Sequence, residues 1–378
     1  MRVLLTSCGD WHLPRTARAF QTRDALAGLW IAGKNLPGGD PAKFRRAWLY
    51  HLAMKPFYHL APQIVQEKMY YRLLPLWRFW LERQPLPEFD VVQAIAGYGV
   101  EMFQKVSGRR CLKVADCPNS HPDNLRTIWQ GECDRWSPGE KVPIPVWMFA
   151  RMKKDIECAD VVLCPSEFVK ESIIERGVDE SRCVVNPFGV DVSIFQPREE
   201  SPRKPRFVVV GTICLRKGHH YLFQAFDEVR KKLPEAELVV VGDYKSDFRG
   251  VRSRWQGSFT HYRGLSHPEL AKLLVACSAF VLPSLEEGFA RVIIEAMAAG
   301  LPIVATHESG ASTLVRDGSE GLIVPSRDVA ALSAAMIRVV EDEGINRAMG
   351  KAAAERGGSG NSWQNYGDRL LAEYAARL

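Results

Sequence analysis

Two glutamates eight positions apart, Glu287 and Glu295, are the residues most obviously placed to do chemistry. They lie in PSLEEGFARVIIEAMAAGLPIVAT (283–306), which opens just after an apolar run. Glu287 falls where a strand hands over to a helix, and Gly288 lets the backbone approach a ligand closely. Glu295 falls on the opening turns of that helix, which Gly300-Leu301-Pro302 stops. Ionised carboxylates only accept hydrogen bonds, so each could hold hydroxyls, a sugar at one and a ribose at the other. Taken alone, such a pair is as ordinary as a solvated loop residue and a surface charge.

The elements that must position these residues alternate in type. Short β-branched runs predict strands at 2–7, 29–33, 90–97, 111–116 and 160–166, then at 206–213, 237–243, 279–284, 302–306 and 321–325. Several are continuous apolar runs, which suits parallel strands buried on both faces. Helical stretches such as 219–232 and 328–340 lie between them, so the expected class is α/β with parallel sheets. QPREESPRKPR (196–206) carries prolines and charges but no apolar run, and reads as a linker. It divides an N-terminal domain (1–195) from a C-terminal one (207–357), with a capped amphipathic helix over 358–378 whose packing is open. Both domains read as doubly wound, with ligands outside the carboxyl ends of their strands.

Composition narrows the function. The 378 residues are 46% hydrophobic and 25% charged, an ordinary globular mixture that fits two domains. A net charge of +6 is too mild for nucleic-acid coating. The nine cysteines show no CxxC and no zinc-ligand spacing, so free thiols and no metal site are expected. The opening MRVLLTSCGDW is too short an apolar run for a secretory signal, and no stretch is apolar enough to span a membrane. The expected location is cytoplasmic, peripheral at the inner face of the plasma membrane.

The 283–306 segment resembles the Glu-x7-Glu signature of glycosyltransferase family 4, with Ala290 in place of the usual Gly. ADVVLCPSEFVKESI (159–173), NPFGVDVSIFQP (186–197), VGTICLRKGHHYLFQAF (210–226) and SGASTLVRDGSEGLIVPSRD (309–328) resemble that family's other landmarks, in order. The match is dense from about 155 to 345 and thin before. The resemblance implies the GT-B fold, two Rossmann-like domains facing a cleft. It further implies transfer with retention of configuration, no metal and no cofactor, and a nucleotide-diphosphate sugar, UDP- or GDP-linked, as donor.

Residue roles follow from that resemblance. Lys217, at a helix start after the strand ending at Gly211, contacts the diphosphate; backbone N–H groups there favour anions too. The family's usual Arg is Thr212 here, which cannot grip phosphate bidentately. Arg216 is the candidate substitute, unless it is a surface arginine. Glu295 binds ribose. Glu287 orients the transferred sugar with the backbone of Gly288, Phe289 and Ala290, and Leu265 reads the base. Thr313 and Ser309-Gly310 depart from the family's Glu and Gly-Gly. In the first domain, His121 stands near the reacting sugar as a proton handler. Gly9, Asp10, His12 and Arg15 are acceptor candidates. Catalysis falls to Glu287, His121 and Lys217, with the leaving phosphate taking the acceptor proton and Glu287 not a nucleophile.

The acceptor is expected to be a saccharide, lipid-linked, in bacterial polysaccharide or lipopolysaccharide synthesis. Residues 43–83 carry eight Lys/Arg, two Glu and ten aromatics, with Phe44, Trp48 and Leu52 at helical spacing. That suits an anionic bilayer surface; the alternative is that the aromatics fill the first domain's core. Other readings are a GT-B nucleotide-sugar epimerase, a transferase with a soluble acceptor, and an inactive scaffold, which would normally have lost Lys217 or a Glu. Sucrose- or glycogen-synthase-like members are disfavoured by the short chain.

Overall fold

The computed structural model describes residues 1–33, 39–61, 63–198, 202, 204–255, 257–358 and 360–378. Its strands are β1 (Val3–Ser7), β2 (Leu26–Ile31), β3 (Phe44–Arg46), β4 (Val91–Ile95), β5 (Leu112–Asp116), β6 (Val161–Cys164), β7 (Cys183–Val185), β8 (Arg206–Val210), β9 (Glu237–Val241), β10 (Thr260–Tyr262), β11 (Ala279–Leu282), β12 (Ile303–Thr306) and β13 (Gly321–Val324). Its helices are α1 (Leu13–Gln21), α2 (Trp48–Leu60), α3 (Gln63–Arg72), α4 (Leu74–Arg83), α5 (Val100–Lys105), α6 (Pro122–Trp136), α7 (Val146–Cys158), α8 (Glu167–Ile174), α9 (His219–Lys232), α10 (His267–Val275), α11 (Arg291–Ala298), α12 (Val329–Glu341), α13 (Glu343–Gly357) and α14 (Trp363–Ala375).

The strands form two sheets, ordered β3-β2-β1-β4-β5-β6-β7 and β10-β9-β8-β11-β12-β13. The pairing is parallel in both. This is the doubly wound α/β architecture expected. Continuous apolar runs dictate it: β1, β4, β6, β11 and β12 are buried along their whole length, as strands covered by helices on both faces must be. β3, β7 and β10 were not anticipated, because three-residue edge strands carry too little pattern to read.

The linker expectation (196–206) falls partly on residues 199–201 and 203, which lie outside the described residues. The 358–378 helix has a definite seat: α14 returns to the first sheet. Tyr366, Leu370 and Tyr374 are fully buried there, and the Tyr374 hydroxyl donates to Gln93 on β4 at 3.0 Å. α6 crosses the other way. Its Cys133 is buried within the second sheet's core, flanked by Trp129 and Trp136.

The basic aromatic segment 43–83 is not one amphipathic helix. Phe44 to Arg46 form edge strand β3, and the rest folds as α2, α3 and α4. Tyr50, Trp77 and Trp80 are buried in the core, whereas Trp48 and Leu52, each 56% exposed, and Phe79 face outward. Among the described residues no helix is long and apolar enough to cross a membrane. The nine cysteines are free thiols.

Candidate active site

A cleft of about 1030 Å³ lies between the sheets. It is lined from the first domain by α1, from the second by the β8–α9 loop and the N-terminal turn of α11, and by the lead into α14. Two glycines set the loop geometry. Gly218, the N-cap of α9, has φ +68, and an added Cβ would lie 1.9 Å from the Pro283 carbonyl oxygen, so only glycine fits. Gly288 is tight for a different reason than expected: a Cβ there would lie 1.7 Å from the Pro118 carbonyl oxygen. Its close approach is to the first domain's backbone. Its carbonyl also accepts from Ser166 Oγ at 2.7 Å.

Lys217 Nζ and Glu287 Oε2 pair at 2.8 Å in the cleft wall. Burial pushes the Glu287 carboxyl up, but Lys217, then Arg216, outweigh it and hold the group below its ordinary range. Glu295 sits farther along α11, with His267 Nε2 at 3.9 Å. Burial raises its carboxyl above the ordinary range against the charges of His267, Arg291 and Arg15. Gly211, Phe289 and Ala290 also line the cleft.

Other sequence-predicted residues sit elsewhere. Arg216 is turned into the wall: its Nη1 pairs with Glu286 Oε2 at 2.8 Å and donates to the Glu286 carbonyl. Its guanidinium lies 5.4 Å from the Trp129 ring centroid. It does not line the cleft, and neither do Thr212 and Leu265. Leu265 is half-buried in the loop between β10 and α10. Thr313 Oγ1 accepts from the Glu167 N–H at 3.0 Å, so it serves the start of α8 in the first domain.

His121 is the N-cap of α6 and is buried; its Nδ1 accepts the Asp123 N–H at 3.2 Å. Burial lowers its pKa below the ordinary imidazole value, ahead of the opposing Asp123 charge. It is absent from the cleft lining. Of the acceptor candidates, only Arg15 lines the cleft. His12 is turned inward, bonded through Nε2 to Asp116 Oδ2 at 2.8 Å and packed on Phe188 at a ring distance of 4.3 Å. The Asp10 carboxyl fills the space beside Gly33, and the Gly9 N–H donates to Ser7 Oγ.

Glu286 went unread in the sequence. Its side chain is 0% exposed, accepts the Ser120 N–H at 2.9 Å and lies 3.4 Å from Asn119 Nδ2. It therefore ties the loop before His121 to the wall that holds Lys217. A buried glutamate and a solvated one look alike in sequence, and its only signal was the Glu-Glu pair itself. Arg291 was likewise unread. Among the described residues, no group of three or more His, Cys, Asp or Glu could hold a metal ion.

Comparison with known proteins agrees with this architecture. A family model described as glycosyl transferases group 1 matches residues 192–356, and one described as glycosyltransferase family 4 matches 37–194. A D-inositol 3-phosphate glycosyltransferase from Kribbella flavida is 30% identical over 62% of this chain and 61% of that protein. The chain spans about half the length of the curated relatives it matches. Sucrose-phosphate synthase from Thermosynechococcus elongatus shares the fold, with a TM-score of 0.72 at 18% identity over 99% of this chain and 98% of that one. Chain length therefore does not separate this protein from a sucrose-phosphate synthase, contrary to expectation. Anabaena HepE in complex with UDP and glucose matches over 100% of both chains at 16% identity, with a TM-score of 0.68. With both halves matched by adjoining family models, and two parallel sheets superposing on such structures end to end, this chain belongs to glycosyltransferase family 4 and has the GT-B fold.

Proposed function

We propose that the chain transfers a sugar, with retention of configuration, from a UDP- or GDP-sugar to a hydroxyl of a saccharide acceptor. The observation that carries this reading is the convergence of Lys217, Glu287 and Glu295 in one cleft walled by both domains. Lys217 and the N-terminal turns of α9 and α11 offer positive charge to a diphosphate. Glu287, kept ionised, accepts hydroxyls of the transferred sugar, and Glu295 accepts those of the ribose. As the bond to the leaving phosphate breaks, Lys217 can exchange Glu287 for the developing phosphate charge, and the departing oxygen takes the acceptor proton. The protein thus contributes position and charge, without a nucleophile or a metal. The UDP and glucose held by Anabaena HepE support a UDP-sugar first.

The acceptor is proposed to be a lipid-linked saccharide met at an anionic membrane surface. Outward Trp48, Leu52 and Phe79, on a basic segment, support that placement. The test of the donor reading is a thermal-shift panel of UDP, GDP, ADP and their sugars, since a ligand bound only to the folded state raises Tm. No shift with any of them sinks it. Interconversion of the free nucleotide-sugar without acceptor would establish an epimerase instead, and loss of activity in EDTA would overturn metal independence.

A further inference from the structure

The cleft poses a charge problem. A nucleotide diphosphate is multiply anionic, yet Thr212 brings no charge and Arg216 is committed to Glu286. Lys217 is the cation of that loop lining the cleft, and Glu287 already neutralises it at 2.8 Å.

Besides Arg18 on α1, which is already engaged, two guanidiniums line the cleft from opposite domains, Arg15 on α1 and Arg291 at the first position of α11. Arg291 stands at a helix N-terminus, where the peptide dipoles disfavour a cation. Among the described residues, neither guanidinium forms an ion pair or a hydrogen bond; that of Arg15 lies 5.6 Å from the Trp363 ring centroid. The Arg291 side chain is accessible within the cleft, but the walls desolvate its guanidinium and, together with the Arg15 charge, lower its pKa. Glu295 attracts both arginines and Asp191 attracts Arg15, but neither carboxylate reaches ion-pair distance, so the two like charges beside a helix N-terminus are offset only in part until a closer anion arrives. Along the chain Arg291 falls midway between Glu287 and Glu295, and all three line the cleft. If the sugar sits at one and the ribose at the other, the diphosphate joining them passes Arg291.

We propose that Arg15 and Arg291 form a two-domain grip on the donor's phosphates, standing in for the arginine that Thr212 replaces. The assignment rests on the donor reading above. It moves Arg15 from the acceptor to the donor, and it makes phosphate binding depend on both domains at once.

Calorimetric titration of the full chain, wild type against Arg15→Gln, Arg291→Gln and Arg291→Lys, tests the grip with UDP, GDP and the free nucleosides. Both arginines are exposed, so the unliganded Tm should stay at the wild-type value. Each glutamine variant should bind the nucleoside diphosphate roughly 10-fold more weakly, the loss of one charge-assisted contact, and the nucleoside as before. Arg291→Lys should recover part of the loss. Nucleoside-diphosphate affinity within about 2-fold of wild type in both glutamine variants overturns the grip, since a lost charge-assisted contact costs more than that. Equal losses for nucleoside and diphosphate overturn it too, as does an effect confined to the KM of an anionic acceptor. A wild type that binds no nucleoside diphosphate overturns the donor reading itself, and the grip with it.

Discussion

Lys217 and Glu287 form a pair that the proposed transfer would reorganise. Lys217→Ala removes the charge proposed to stabilise the leaving diphosphate and, among the described residues, leaves Glu287 with Arg216, 3.7 Å away. kcat/KM should fall about 10²–10³-fold with little change in Tm, read from initial rates with the donor found in the panel. A near-normal kcat/KM would remove Lys217 from the diphosphate. Glu295 carries a pH signature. Burial raises its pKa, so on acidification it takes a proton earlier than an ordinary glutamate and stops accepting from the ribose. Affinity for the free nucleoside, which carries no titrating phosphate, should therefore weaken on acidification, and Glu295→Gln should bind it weakly with a flatter pH dependence. An unchanged slope in the variant would assign the pH dependence elsewhere.

α6 reaches from the first half into the second through side-chain hydrogen bonds. Glu132 near its end is buried and receives His220 Nε2 at 3.0 Å, the Tyr221 hydroxyl at 3.1 Å and Arg327 Nε at 2.7 Å. Trp129 Nε1 donates to Asp247 Oδ2 at 2.8 Å, and Ser137 Oγ, just beyond the helix, donates to the Asp247 carbonyl at 2.7 Å. Burial works against the Glu132 charge, yet His220 and Arg327 hold its carboxyl below the ordinary range. Glu132→Ala strands these partners. It should cost about 3 kcal/mol of stability in scanning calorimetry, at the low end for a broken buried pair because Arg327 is partly exposed. A loss under about 0.5 kcal/mol, the scale of an ordinary surface change, would show the cluster to be incidental.

Across the whole molecule, Gly288 and Pro118 mark where the domains touch. Gly288→Ala would drive a methyl into the Pro118 carbonyl, and neither side of that contact is a flexible side chain. Each domain should keep its own fold while the pair is wedged apart. The expected result is near-native circular dichroism with a larger radius of gyration and a large drop in kcat; unchanged activity would mean the contact can yield. The outer face carries the membrane proposal. Co-sedimentation with anionic liposomes at low salt should exceed that with neutral ones. It should drop for Trp48→Ser with Leu52→Ser, because aromatic and aliphatic anchors are lost while the cations remain. Equal, negligible pelleting everywhere would leave a soluble acceptor.

The sequence by itself determined the sheets and picked out the two carboxylates of the cleft. Ten buried strands are legible because a parallel strand covered on both faces must be apolar throughout. Glu287, Glu295 and Lys217 are legible because strand ends and helix starts place them with their neighbours along the chain. Tertiary structure decided what depends on distant partners. Arg216 reads as a phosphate ligand until Glu286 is seen buried beside it, and His12 reads as an acceptor candidate until Asp116, at the end of β5, captures it. Arg15 and Arg291 are separated by most of the chain, and nothing local says that they share a cleft. The path of α14 back to the first sheet is of the same kind. Its amphipathic pattern requires an apolar partner but does not name one, and only the packing of Tyr366, Leu370 and Tyr374 chose it.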